Sequence, residues 1–122
     1  MIRRDKISVE ISEAFHKDRL KLKPQQRDDI KHAINTLVDE TRSRRPRLVK
    51  LYRSHGVDFP AHINNTDSSL YMYKATNDLR VILAYDDDPI FNQNILTLYR
   101  VVHKNDSTEA FNQVAKVIYS QR

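Results

Sequence analysis

The spacing of apolar residues changes along the first third of the chain. Apolar and polar residues alternate over 7–11, which is the period of a half-buried strand. Ser12 is then placed to cap a short helix that Phe15 and Leu20 anchor. A second helix is predicted over 24–41, because its apolar residues recur three and four positions apart. That stripe consists of Ile30, Ala33, Ile34, Leu37 and Val38.

The second half of the chain has the pattern of strands. Residues 70–75 are rich in aromatic and β-compatible side chains, and turn residues follow. The segment 79–85 is almost continuously apolar, which predicts a central strand covered on both faces. The acidic run 86–88 is expected to end it, and residues 95–103 form the next strand. These three strands predict an antiparallel meander.

A last helix follows the meander. Asp106 and Glu109 have the spacing of a capping box. The predicted buried stripe of this helix is Phe111, Val114, Ala115 and Ile118. The order of elements predicts an α+β fold with one small domain over 1–122. In it an N-terminal strand and the two early helices, packed on one face of an antiparallel sheet, are followed by a C-terminal helix.

The charge is uneven, and the excess lies in one connector. Residues 1–53 hold 15 Lys and Arg against 8 Asp and Glu, or +7, and residues 54–122 hold 6 against 8, or −2, which sum to +5. The connector 42–68 is rich in turn formers, and Leu51 and Tyr52 within it are expected to form a brief strand or helical turn. Its basic residues are Arg42, Arg44, Arg45, Arg47, Lys50 and Arg53. This segment either attracts phosphate or an acidic protein, or is a solvated loop.

The composition excludes several classes of site. The 122 residues include no cysteine and one glycine, Gly56, which excludes thiolate chemistry and glycine-rich phosphate loops. No cofactor is expected, and no metal site, because consecutive carboxylates at 86–88 diverge and the histidines lack ligand spacing. With no apolar run that could span a membrane and no signal-peptide core, we expect a cytoplasmic protein.

Cations interrupt the apolar strands. In an antiparallel hairpin, Lys74 and Arg80 meet across the turn. Arg100, His103 and Lys104 fall at the end of the following strand, so the five side chains are predicted to share one face of the sheet. Clustered cations are costly unless an anion such as phosphate neutralises them. The alternative is that each reaches solvent or pairs with a carboxylate of a nearby turn.

These segments resemble the RelE/ParE toxin superfamily. The resemblance is carried by Leu70–Lys74, by Asp78–Asp87 with its arginine opening a central strand, by Ile95–Lys104, and by Leu48–Leu51 before the sheet. RelE-like members are metal-independent ribonucleases that cleave mRNA in the ribosomal A site, whereas ParE-like members inhibit DNA gyrase. In the ribonucleases, basic side chains hold the phosphate while the RNA 2′-hydroxyl attacks and leaves a 2′,3′-cyclic phosphate.

The resemblance implies roles for four residues. Arg80 matches the strand arginine that binds the phosphate, and Lys104 stands where the family has a second arginine. His103 matches the family histidine, and Lys74 matches a lysine that acts as base or electrostatic stabiliser. Lys74, Arg80, His103 and Lys104 are therefore the predicted catalytic residues.

Three positions depart from the family pattern. Val102 replaces a glycine, and lysine at 104 lacks the two-pronged guanidinium. Phe111 stands near where ribonucleases of the family carry a tyrosine, which leaves His103 as the candidate for proton transfer.

The leading hypothesis is a type II toxin, an mRNA endoribonuclease acting at the ribosome. A cognate acidic antitoxin would dock over the cations or in the groove beside the helices, in a toxin–antitoxin hetero-oligomer or with a toxin homodimer. The alternatives are a non-cleaving gyrase inhibitor and a basic nucleic-acid-binding module. The predicted nucleic-acid-binding residues are Arg44, Arg45, Arg47, Lys50, Arg53 and Arg100.

Overall fold

A computed structural model describes residues 6–43, 51–52, 70–88 and 93–119. The elements in chain order are β1 (Lys6–Ile11), α1 (Glu13–Leu20), α2 (Pro24–Ser43), β2 (Leu51–Tyr52), β3 (Leu70–Lys74), β4 (Leu79–Asp88), β5 (Gln93–His103), a 3₁₀ turn (Lys104–Asp106) and α3 (Ser107–Tyr119). None of the helices in these ranges is long and apolar enough to span a membrane.

The strands in the described ranges form one sheet in the order β1-β5-β4-β3-β2. The meander β3-β4-β5 is antiparallel, as predicted, and β2 adds to β3 in the antiparallel sense. β1 pairs with β5 in the parallel sense, so the sheet is mixed. Two parallel strands can be joined only by a long crossover connection, and here the chain between β1 and β5 forms it.

Ser12 joins β1 to α1 and fixes both to β5. Its backbone is extended (φ −75°, ψ 162°), and its Oγ accepts a hydrogen bond from the Phe15 N–H at 3.0 Å. This is the predicted N-cap. The same Oγ donates to the Tyr99 carbonyl at 2.9 Å, and the Ser12 N–H donates to the Leu98 carbonyl at 3.0 Å. The cap therefore also positions α1 along the edge of β5, beyond the end of β1.

The core has two parts, one on each face of the sheet. Phe15, Ile30 and Leu37 pack with Leu83 on the face that α1 and α2 cover. Phe111 and its neighbours from α3 cover the opposite face. The two early helices share one face of the sheet, as predicted, and the C-terminal helix, whose face was left open, covers the other. An amphipathic stripe requires a sheet face to cover but does not specify which one, and β4 is apolar on both.

Two predicted boundaries are also corrected. The acidic run does not end β4, because Asp88 still pairs with Gln93 in an extended hairpin. The second helix continues to Ser43, into the basic run, since no helix-breaking residue precedes Pro46. Leu51–Tyr52 forms the brief strand rather than a helical turn.

Candidate active site

Lys74 and Arg80 lie directly opposite each other on β3 and β4. Directly opposed residues of antiparallel strands have Cβ atoms about 5 Å apart and point to the same face. Pairs further along the two strands, Met72 with Ile82 and Leu70 with Ala84, belong to the core under α3. The sheet thus carries two adjacent cations where this apolar face ends.

The turn between the two strands holds the guanidinium of Arg80 in place. Its Nη1 donates to the carbonyls of Thr76 at 2.9 Å, Leu79 at 3.2 Å and Asn77 at 3.3 Å. These partners are neutral, so the positive charge is not cancelled by an ion pair within the described ranges. Nε and Nη2 make no hydrogen bond to the described residues, so this side of the guanidinium has two parallel donors available for a pair of oxygens.

His103 and Lys104 reach the same end of the sheet from β5. His103 pairs with Leu79, and the Lys104 N–H donates to the Asp78 carbonyl at 2.7 Å. Both side chains are exposed. The structure therefore brings four predicted residues, Lys74, Arg80, His103 and Lys104, to one end of the sheet. The expectation that they share one face is wrong, because His103 lies opposite Leu79 of the α1 and α2 face, whereas Lys74 and Arg80 continue the α3 face.

The imidazole of His103 has one nitrogen already occupied. Its Nδ1 accepts a hydrogen bond from the Asn105 N–H at 3.1 Å, which caps the 3₁₀ turn. An accepting Nδ1 is unprotonated, so the neutral ring carries its proton on Nε2. In this state Nε2 is the hydrogen-bond donor of the ring.

Arg100 is separated from this group. Its Nε and Nη2 donate to the Asp18 carboxylate of α1 at 2.6 and 3.2 Å, and the Val101 N–H donates to the same carboxylate at 3.1 Å. The hydrogen bond to Asp18 raises the pKa of Arg100. Because the pKa of Arg100 is raised, this contribution to stability is present at lower pH and is lost as the pH rises through that pKa. The described contacts give Arg100 the role of fixing α1 to β5.

The remaining predicted site residues are placed differently. Arg44, Arg45, Arg47, Lys50 and Arg53 lie outside the described residues. Phe111 is 0% exposed and packs within the core, so its role is packing. In the described ranges, no group of three His, Asp or Glu side chains is arranged to hold a metal ion.

Two concave surfaces were not expected in detail from the sequence. A groove of about 460 Å³ lies between β1, α1 and α2, where Val9 and Ile11 remain 40% and 57% exposed. A second cleft lies between α2 and the turn that follows β3. Asp29, His32 and Thr36 line it at intervals of three and four residues. This spacing is the one feature of the sequence that indicates that they share a side of α2.

Solved structures share this course of the backbone, although no protein-family profile and no curated protein matches the chain. A histidine-to-glutamine mutant of YafQ from E. coli aligns with a TM-score of 0.50 at 18% identity, over 86% of this chain and 98% of that one. A chain of the RelBE2 toxin-antitoxin complex from Mycobacterium tuberculosis aligns with a TM-score of 0.47 at 15% identity, over 87% and 98%. The α+β, RelE-like fold predicted from the sequence is confirmed, and this chain has the fold of YafQ.

Proposed function

We propose that this protein is the toxin of a type II toxin–antitoxin system and cleaves mRNA at the ribosome without a metal ion. The observation that carries the proposal is the pair Lys74 and Arg80, adjacent on the sheet and without a carboxylate partner among the described residues. Uncompensated cations at one point favour binding of a phosphate. The fold shared with YafQ agrees with this assignment.

The chemistry needs fixed positive charge more than it needs a strong base. The 2′-oxygen attacks the phosphorus, the bond from phosphorus to the 5′-oxygen breaks, and the 2′,3′-cyclic phosphate forms. The proton that the 2′-hydroxyl loses is balanced by the proton that the 5′-oxygen gains, and water at this exposed surface can carry both. Negative charge grows on the phosphate oxygens in between, and fixed donors aimed at those oxygens lower the barrier.

Each of the four residues has a proposed part in this chemistry, consistent with its contacts. Arg80, held by the turn carbonyls, binds the phosphate with Nε and Nη2. Lys74 beside it adds charge to the same oxygens. His103 donates from Nε2, and Lys104 acts as a point charge at the rim. Each of these roles works on charge, and none of them requires a tyrosine at position 111.

Purified protein is expected to cut ribosome-bound mRNA and to leave 5′-hydroxyl and 2′,3′-cyclic phosphate ends, the products of attack by the 2′-hydroxyl. Mapping of mRNA 5′ ends after induction in cells measures the activity. Cleavage in vitro, with and without added ribosomes, measures its dependence on the ribosome. Growth arrest with intact mRNA and broken or over-supercoiled DNA would instead identify a gyrase inhibitor. Absence of arrest would contradict both.

The groove beside β1 supports an acidic antitoxin as the partner. Its floor includes Val9, Ile11 and Leu98, and β1 is the outermost strand on that side of the sheet. The charged side chains around it are mostly basic: Arg19, Arg27 and Lys31, with His16 and one acid, Asp28. An antitoxin segment with apolar and acidic residues complements this surface.

Replacing Ile11 with glutamate is expected to weaken the complex with that antitoxin at least about tenfold, because the change puts a charge on the apolar floor of the groove. The measurement is titration calorimetry with the acidic protein encoded beside this chain. Leu20→Glu is the matched control, since Leu20 is as exposed (58%) but does not line the groove. Equal losses in both variants would place the antitoxin elsewhere.

A further inference from the structure

The cleft between α2 and the turn after β3 is not used by the roles assigned so far. It has a volume of about 300 Å³, which lies at the lower end of the range for small-molecule sites. The residues that line it are Asp29, His32, Ala33, Thr36, Tyr73, Lys74, Ala75 and Thr76. Lys74 lines this cleft and also belongs to the candidate active site, so the two sites meet at this residue.

The α2 wall of the cleft is polar. Asp29, His32 and Thr36 follow one another at intervals of three and four residues, which puts them on one side of the helix. Asp29 Oδ1 accepts from Gln25 Nε2 at 3.0 Å, and Oδ2 makes no hydrogen bond to a described residue. His32 is exposed and likewise has no hydrogen-bonding partner in those ranges. The wall thus presents a carboxylate and an imidazole to a ligand.

The chemistry of this wall matches a nucleobase rather than a second phosphate. A carboxylate repels phosphate but accepts two parallel hydrogen bonds from adjacent N–H groups. Guanine alone among the four RNA bases has two such donors side by side, at N1 and N2. An exposed imidazole offers a face on which an unstacked base rests. Lys74 at the other end attracts the phosphate of the same nucleotide.

We infer that this cleft is a guanine-binding subsite, in which Asp29 and His32 hold the base of the nucleotide next to the phosphate bound by Arg80 and Lys74. The inference rests on the proposed ribonuclease function, because that function supplies the RNA. It goes beyond it by making cleavage depend on the base beside the cut. Asp29 is the residue that sets this specificity.

Binding of mononucleotides to the isolated protein tests the subsite without any need for cleavage. The probes are 3′-GMP, 3′-AMP, 3′-CMP and 3′-UMP, with affinities taken from NMR shifts of the His32 and Thr36 signals. We expect 3′-GMP to bind about tenfold more tightly than the others. Asp29→Asn should remove that preference, since an amide accepts only one of the two hydrogen bonds. Glu13→Gln should keep it, because Glu13 is an exposed carboxylate of α1 that lines neither this cleft nor the groove beside β1.

The outcomes of binding and cleavage experiments separate this inference from the proposed function. If 3′-GMP binds preferentially but RNA stays intact, the ribonuclease proposal fails and the guanine subsite stands. If RNA is cleaved but Asp29→Asn leaves both the base preference at the cut and the nucleotide affinities unchanged, the subsite is refuted and the ribonuclease stands. Equal affinity for all four nucleotides in the unmodified protein also refutes it.

Discussion

Replacing Arg80 with alanine is expected to lower the rate of RNA cleavage by about 10²–10³-fold, the usual cost of removing one fixed donor to a developing oxyanion. Three backbone carbonyls of the turn position this guanidinium before RNA arrives, so its reorganisation costs little when charge builds on the phosphate. Single-turnover cleavage of a short mRNA bound to the ribosome, measured with saturating protein, reports this step directly.

Arg80 also stabilises its turn, and a second variant separates the two roles. Arg80→Gln keeps an N–H donor for a turn carbonyl but has no charge, so it should remain folded and be as inactive as Arg80→Ala. Lys17→Ala removes an exposed cation on α1 and is expected to leave cleavage unchanged. Cleavage by Arg80→Gln within about threefold of the unmodified rate would remove Arg80 from the site and leave it as a structural residue.

Replacing Phe111 with alanine is expected to reduce the free energy of unfolding by about 3–5 kcal/mol, as for other large buried side chains. Phe111 is fully buried and packs with Ile82 and Met72 across the interface of α3 with the sheet. Urea denaturation followed by circular dichroism measures the change. A loss of about 3–5 kcal/mol is a large part of the stability of a small domain, so the variant should be partly unfolded at 37 °C.

Two further substitutions at the same position make that result specific. Phe111→Leu keeps most of the apolar volume and is expected to cost clearly less than Phe111→Ala. Phe111→Tyr puts a hydroxyl into a fully buried site and should destabilise the protein without raising cleavage. A rise in cleavage with Phe111→Tyr would show that this position does take part in the chemistry, against its placement in the core.

The features that could be predicted from the sequence are those that depend on residues close together in the chain. The Ser12 cap acts over three residues, and the apolar run 79–85 was sufficient to identify a central strand. Lys74 and Arg80 could be paired from the short turn alone. Because the turn is local, the centre of the candidate site was predictable.

Features that depend on distant parts of the chain were not predictable. Arg100 carries the same charge as Arg80, yet its partner Asp18 lies 82 positions away, and no periodicity reveals that contact. The face that α3 covers depends on the handedness of the whole chain path. In the sequence, Asp29 and His32 look like ordinary surface residues of a helix. Only the three-dimensional structure shows that the turn after β3 lies opposite them.

The parallel pairing of β1 with β5 affects how the protein folds during translation. Ser12 and Tyr99, which tie these strands together, are 87 positions apart. Contacts of such long range slow folding, since the intervening chain must be ordered first. During synthesis β1 leaves the ribosome before β5 and has no pairing strand until β5 follows. The same strand, β5, carries His103. A nascent chain therefore has neither a finished sheet nor the complete set of four cations until β5 has been synthesised.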